Sequence, residues 1–485
     1  MPGTAIVWFR RDLRVHDHPA LTAASRSADR VVPVFVLDDA LLHGRFPSGP
    51  RAHFLLGCLH DLRAALRERG GDLVVRRGRA ERELVRLAAE TGADAVHFAS
   101  DVSPFAMVRD RRVEAALASA GVEPVRHPGL FVADVGQPRT KDGRPFSVFS
   151  PFWRVWRELP RQEVHGAPRK LALPDGVAAG SIPPLEELGL VDDVPKPFTP
   201  GEKAGRARMH EWLRDGLAAY ADRHDRLEGG TSELSPYLHF GCISPRELEQ
   251  RTLDTGSRTL DAGSGERTLD AGSGEGPQAF ARQLGWRDFY AHVLLHHPGN
   301  ALHAHQEGMD ALEWADDEAG FEAWREGRTG FPVVDAGMRQ LRTRGWMHNR
   351  ARLITASFLT KDLHIDWRRG EAHFMRYLLC GDEAQNNGNW QWISSVGVDP
   401  APYFRRMYNP VIQQGRHDPT GEYVRRWVPE LCDVPAAKLA EPWTMSEDEQ
   451  EAAGCRIGSD YPEPIVDHAE ERKRAMDRYR AAKAG

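Results

Sequence analysis

The constraint that most narrows the fold is a change of periodicity part-way along the chain. From Thr4 to about Leu130, short Val-rich apolar runs (AIVWF, VVPVFVL, DLVV, DAVHFA and VEPV) alternate with helical stretches such as Ala52 to Arg69. Runs of that length between helices read as parallel strands, so this part is expected to be a doubly wound α/β domain, with any ligand in the loops after its strands. Between Pro160 and Pro200 the periodicity fades and prolines accumulate, as in a long interdomain connection. Beyond Gly201 strand signals nearly vanish and helix starts take over. Ser244, Pro245 and Glu247 form a capping-box pattern, and Ser235 with Pro236 is a similar start. The expected organisation is an α/β domain over 1–135, a connection over 136–200, an all-helical domain over 201–475 and a short tail over 476–485.

At 485 residues the chain is too long for one ordinary core. It has no apolar run of about 18 residues and no secretory signal at its start, so a cytoplasmic protein without a membrane partner is expected. Cys58, Cys242, Cys380, Cys432 and Cys455 form no CxxC pair, which predicts free thiols and no metal site. A formal charge of -6 gives no help to nucleic-acid binding, so any basic surface must be local. Arg339, Arg342, Arg344, Arg350 and Arg352, then Arg405 and Arg406, could supply it. One segment stands apart: RTLDTGS at Arg251 and RTLDAGSGE at Arg258 and Arg267 form a tandem repeat. Its Gly, Ser and Asp content predicts a flexible surface insert over 251–276.

Several stretches could carry chemistry. In LCGDEAQNNGNWQW, Leu379 to Trp392, helical spacing places Asp382, Asn386 and Trp390 on one face, offering a carboxylate, an amide and an oxidisable indole to a planar partner. WFRRDLRVHDHPAL follows the first strand where a dinucleotide site would need GxGxxG. Its arginines could bind an anion, although pairing with Asp12 and Asp17 is the simpler expectation. GTSELSPYLHFG offers hydroxyls and helix-start N–H groups to phosphate oxygens, or merely caps a helix. QLGWRDFY sets Gln283, Arg287 and Tyr290 on nearly one face with Trp286 beside it, and WMHNRARLITASFLTKDL stacks Leu353 on Asn349. Tryptophans next to arginines can form a core, stack unpaired bases or pass electrons.

Together, WFRRDLRVHDHPAL, GTSELSPYLHFG, the long stretch WREGRTGFPVVDAGMRQLRTRGWMHNRARLITASFLTKDLHIDWRRGE, and GDEAQNNGNWQW with APYFRRMYNP resemble the photolyase and cryptochrome flavoproteins. The resemblance covers nearly the whole chain apart from the repeat, and the C-terminal half is most similar to class I cyclobutane pyrimidine dimer photolyases. It implies an antenna chromophore in the α/β domain, folded FAD in the helical domain, and light-dependent repair of dimers in UV-damaged DNA by a monomer. By position it implies FAD contacts from Tyr220, from Thr231, Ser232, Glu233, Leu234 and Ser235, and from Arg352, Asp382 and Arg287, the last near the phosphates. Asn386 would face flavin N5, where an amide offers both donors and an acceptor. Trp390, Trp367 and Trp314 match the family's electron route from flavin to surface. Gln283, Trp286, Asn349, Arg350, Leu353 and Trp392 match the lesion site, and Arg405 and Arg406 match contacts to the DNA backbone. Family members flip the damaged nucleotides out of the duplex.

Three positions depart from the family pattern. Gln283 replaces a Glu that contacts the dimer, Leu353 replaces a frequent Met, and Cys380 replaces an Asp that pairs with the arginine matching Arg352. Arg352 is then expected to turn to the flavin or to Asp382. A (6-4) photolyase would need histidines at Asn349 and Leu353, and His348 faces away by about 100° on a helix. Gln283 and Cys380 also leave a cryptochrome-type blue-light sensor as the alternative. For the antenna, Ala106 stands where a methenyltetrahydrofolate site has an acidic residue. Asp38, Arg51 and Asp101 match members that bind 8-hydroxy-5-deazaflavin, or are loop salt bridges.

Overall fold

The computed structural model describes residues 3–261, 275–399 and 402–484. Five strands, β1 (Thr4–Phe9), β2 (Arg30–Leu37), β3 (Val74–Arg77), β4 (Ala95–Ala99) and β5 (Glu123–His127), form one parallel sheet in the order β3-β2-β1-β4-β5. Each matches one of the five Val-rich runs. Registers such as Ile6 opposite Val32 and Val96 bury β1 between two neighbours. The chain winds outward from β1 in both directions, so the order reverses between β1 and β4, the crevice where such sheets bind ligands.

Alternation along β1 divides the core. Ile6 and Trp8 join Val34, Val96 and Phe98 on one face. Ala5, Val7 and Phe9 point the other way, into a cluster that continues through Phe54 and Leu62 to Trp324, Trp367 and Trp390 of the helical part. The sheet and the helices therefore share a core. Between Trp156 and Glu202 the one regular element is the short 3-10 turn Leu185–Leu188, in keeping with an extended connection.

The helical part is built around Glu383–Ile393, which packs against Glu275–His296, Asn349–Lys361 and Trp367–Tyr377. Two glycines allow that closeness. A Cβ on Gly370 would fall 2.2 Å from Trp390, and one on Gly388 would fall 2.2 Å from Tyr290. The repeat differs from expectation at its start. RTLDTGS and 258–261 continue the helix Pro245–Asp261, which starts on Ser244 and buries Leu248 and Thr252. Propagating a capped helix is easier than ending it, which outweighs the local composition. The rest of the repeat, 262–274, lies outside the described residues.

Candidate functional site

Asp382 caps the Glu383–Ile393 helix, its Oδ1 accepting from the Gln385 N–H at 3.0 Å. Being at the cap turns it away from the face shared by Asn386 and Trp390. Its other oxygen accepts from Arg11, whose guanidinium also grips Asp101 at 2.7 and 2.8 Å. One arginine after β1 thus ties the loop after β4 to the central helix. The pairing holds Asp101 well below the usual carboxylate range despite burial, and Asp382 is lowered in the same way. Arg10 and Arg11 of WFRRDLR hold carboxylates, though not the expected ones of Asp12 and Asp17, and Arg14 donates to backbone carbonyls, that of Asp17 among them at 2.8 Å. Arg10 bonds Asp110 at 2.7 Å, while Asp12 accepts from the Arg10 N–H and Asp17 pairs with Arg246.

These residues line a cavity of about 280 Å³ at the β1–β4 switch point, bounded below by Gly381, Asp382, Glu383 and Ala384. Asp38, Arg51 and Asp101 all line it, as does Ala106. Asp38 also caps a short helix, and Arg51 donates to the Met375 and Phe46 carbonyls. Arg10 and Arg109 stack on Trp8 at 4.7 and 4.8 Å, and Nε and Nη2 of Arg10 are buried without a partner. Aromatic walls with orphaned guanidinium donors fit a planar, partly anionic molecule.

A second cavity of about 70 Å³ lies on the other side of the helix start, lined by Asn349, Arg352, Leu353, Cys380, Asn386 and Trp390 among others. Asn386 gives its Nδ2 to the Glu371 carbonyl at 3.0 Å, which fixes the amide plane and leaves its oxygen toward the cavity. The Trp390 Nε1 is buried without a partner. Arg352 finds neither Asp382 nor another carboxylate within 4.0 Å among the described residues. It donates to the Met347 carbonyl at 2.8 Å and to Cys380 Sγ at 3.3 Å. Such a wall of amides, a guanidinium and an indole suits the edge of a planar heterocycle carrying N–H and C=O groups.

The tryptophans separate by face. Trp390 and Trp392 lie two residues apart, about 200° round the helix. Trp390 packs inward on Phe374 at 4.9 Å and Trp324 at 6.2 Å, and on Gly370, one turn from the buried Trp367. Half-buried Trp314 precedes Ala315, which bonds the His364 carbonyl near the start of the Trp367 helix. Trp392 faces outward with Arg406 over its ring at 4.1 Å. Trp286 is stacked on Phe149 at 3.7 Å, a backing partner that sequence spacing could not reveal.

The other expected contacts are dispersed. Gln283, Asn349 and Arg405 are exposed, whereas Arg406 is 2% exposed and bonds the Trp392 and Asp399 carbonyls, so it braces Trp392 instead of offering a surface charge. Arg350 pairs with Asp225 at 2.6 Å. Arg287 donates to the Leu130 carbonyl at 2.7 Å. Tyr220 packs on Trp212 and Phe280. In the 231–235 loop the Thr231 and Ser232 carbonyls accept from Arg208, Glu233 has φ of 54°, Leu234 is buried, and Ser235 accepts from the Trp346 N–H at 3.2 Å. His348 caps the Asn349 helix, accepting from the Arg350 N–H, and burial pushes it down to about 3, so it is neutral near pH 7.

Residues 5–170 match the family described as DNA photolyase, and residues 280–481 match the FAD binding domain of DNA photolyase. A deoxyribodipyrimidine photo-lyase of Streptomyces griseus is 44% identical over 97% of this chain and 98% of its own length. The crystal structure of a class III photolyase from Agrobacterium tumefaciens superposes with a TM-score of 0.90 at 34% identity, covering 100% of this chain and 98% of that one. A cryptochrome from Synechocystis superposes with a TM-score of 0.87 at 28% identity, covering 98% of this chain and 99% of that one. The chain belongs to the photolyase and cryptochrome family. Within it, the full-length match to the Streptomyces protein places it among the photo-lyase enzymes.

Proposed function

We propose that the protein repairs cyclobutane pyrimidine dimers in UV-damaged DNA in a light-dependent reaction, with FAD held at the Asn386 cavity. The observation that carries the reading is the central helix itself: Asn386 and Trp390 wall the inner cavity, while Trp392 stands on the opposite side. Bound reduced FAD would supply the excited electron that splits the dimer and receive it back. The chain's own residues bind and orient. Asn386, its plane fixed by Glu371, offers an acceptor to the ring edge, and Arg352 supplies a positive charge beside it. Trp390, Trp367 and Trp314 provide an oxidisable path from the cavity outward. Trp286 and Trp392, each braced on one face, offer flat surfaces to the extruded pyrimidines.

Asn349 and Leu353 hold no titratable group, and His348 is neutral and engaged as a cap, so the two positions do not supply the histidines that a (6-4) lesion would need. For the antenna, the 280 Å³ cavity favours a deazaflavin-type chromophore over a folate: Arg10 and Arg51 can meet an anionic group there, and the folate-type carboxylate is replaced by Ala106.

The test is to illuminate the reduced, FAD-loaded protein with an oligonucleotide containing one thymine dimer. Regained thymines in light and none in darkness are expected. Intact dimers beside normal photoreduction of the flavin would refute repair and favour the sensor.

A further inference from the structure

Asp399 is one of five non-glycine residues with positive φ among the described residues, at 70°. Its side chain gathers the groups that brace Trp392. Oδ2 accepts from the Trp392 indole N–H at 3.2 Å and forms an ion pair with Arg406 at 3.1 Å, and the Asp399 carbonyl accepts a hydrogen bond from the same guanidinium at 3.2 Å. Arg406 in turn lies over the Trp392 ring and donates to the Trp392 carbonyl at 2.8 Å. The Asp399 N–H reaches the Ser147 carbonyl at 3.2 Å, two residues before the Phe149 that backs Trp286. A left-handed backbone on a residue with a Cβ persists where its surroundings over-determine it. Here the surroundings are one ring, one guanidinium and one carbonyl.

We infer that Asp399 is a positioning residue for lesion recognition, fixing the rotation of the Trp392 ring so that the face opposite Arg406 is presented to an extruded pyrimidine pair. No aromatic ring stacks on Trp392 among the described residues, so without this carboxylate the indole N–H loses its acceptor and the ring is left to the guanidinium over it and the core it packs against. The inference rests on the repair reading above.

The test compares Asp399→Gly, which relaxes the backbone and removes the acceptor, with Asp399→Asn, which tolerates left-handed φ and keeps an acceptor. The readout is the ratio of Kd for undamaged over dimer-containing duplex, taken with FAD content and melting temperature on the same samples. Losing a charged acceptor should reduce that ratio about tenfold in D399G. D399N should stay within about threefold of wild type, with FAD content unchanged in both. An unchanged ratio in D399G would overturn the inference. So would a joint fall of FAD content, melting temperature and both affinities, which marks a purely structural role. If wild type itself shows no preference for dimer DNA, the repair reading fails first and the inference falls with it.

Discussion

Arg352 and Cys380 show how a single side chain sets the electrostatics of the inner cavity. A guanidinium with a carboxylate neighbour is locally neutral, whereas one with a thiol at 3.3 Å keeps its charge for whatever lies beside it. Cys380→Asp should therefore lower the midpoint potential of bound FAD by on the order of tens of millivolts, since a new negative charge opposes reduction. Spectroelectrochemistry checks this, and an unchanged or higher potential would remove Arg352 from the flavin's surroundings. The departure at Cys380 was legible in the sequence, but the contact was not. The family resemblance left Arg352 to turn to the flavin or to Asp382, and Arg11 holds Asp382 instead. Asp399 carried no sequence signal, because its importance lies in a positive φ and in partners seven residues away on either side.

At the scale of elements, close packing on the central helix is what the glycines permit. Gly370→Ala would drive a methyl into Trp390, with an expected loss of about 1–3 kcal/mol in denaturant unfolding and slower flavin photoreduction as the indole is displaced. The link between sheet and helices is as specific. Arg11 is half-buried between two carboxylates, so Arg11→Met leaves both Asp101 and Asp382 without their cation and should cost about 3 kcal/mol. An urea midpoint unchanged from wild type would show that another group takes over. The strands were legible almost to the residue, because buried parallel strands are continuous apolar runs. The start of the repeat was not, because its composition favours a loop while the helix it continues was already capped and packed.

For the molecule as a whole, burial has set several titrations. It pushes His239, His348 and His373 down to about 3, and His127 and His292 to about 4. The unfolded chain, with histidines near their ordinary value of about 6.5, binds protons first on acidification. This stability is therefore complete above about pH 6.5 and is lost as the pH falls toward 4. Asp288 and Asp362, raised by burial to about 6, and Glu371, raised to about 7, act in the opposite sense. Five groups outweigh three, so the urea midpoint should decline from pH 7 to pH 5, and a rise over that interval would mean the histidines are solvated. The two-part architecture was legible from periodicity alone. The shared core was not, since it depends on which face of β1 meets the helices.

Dimer repair driven from the Asn386 cavity is tested most directly by giving the reduced protein two oligonucleotides, one with a thymine dimer and one with a (6-4) photoproduct. Both are followed by chromatography in light and in darkness while flavin photoreduction is recorded. Light-dependent loss of the dimer alone is expected, with the (6-4) lesion untouched. Normal photoreduction with the dimer intact would contradict it.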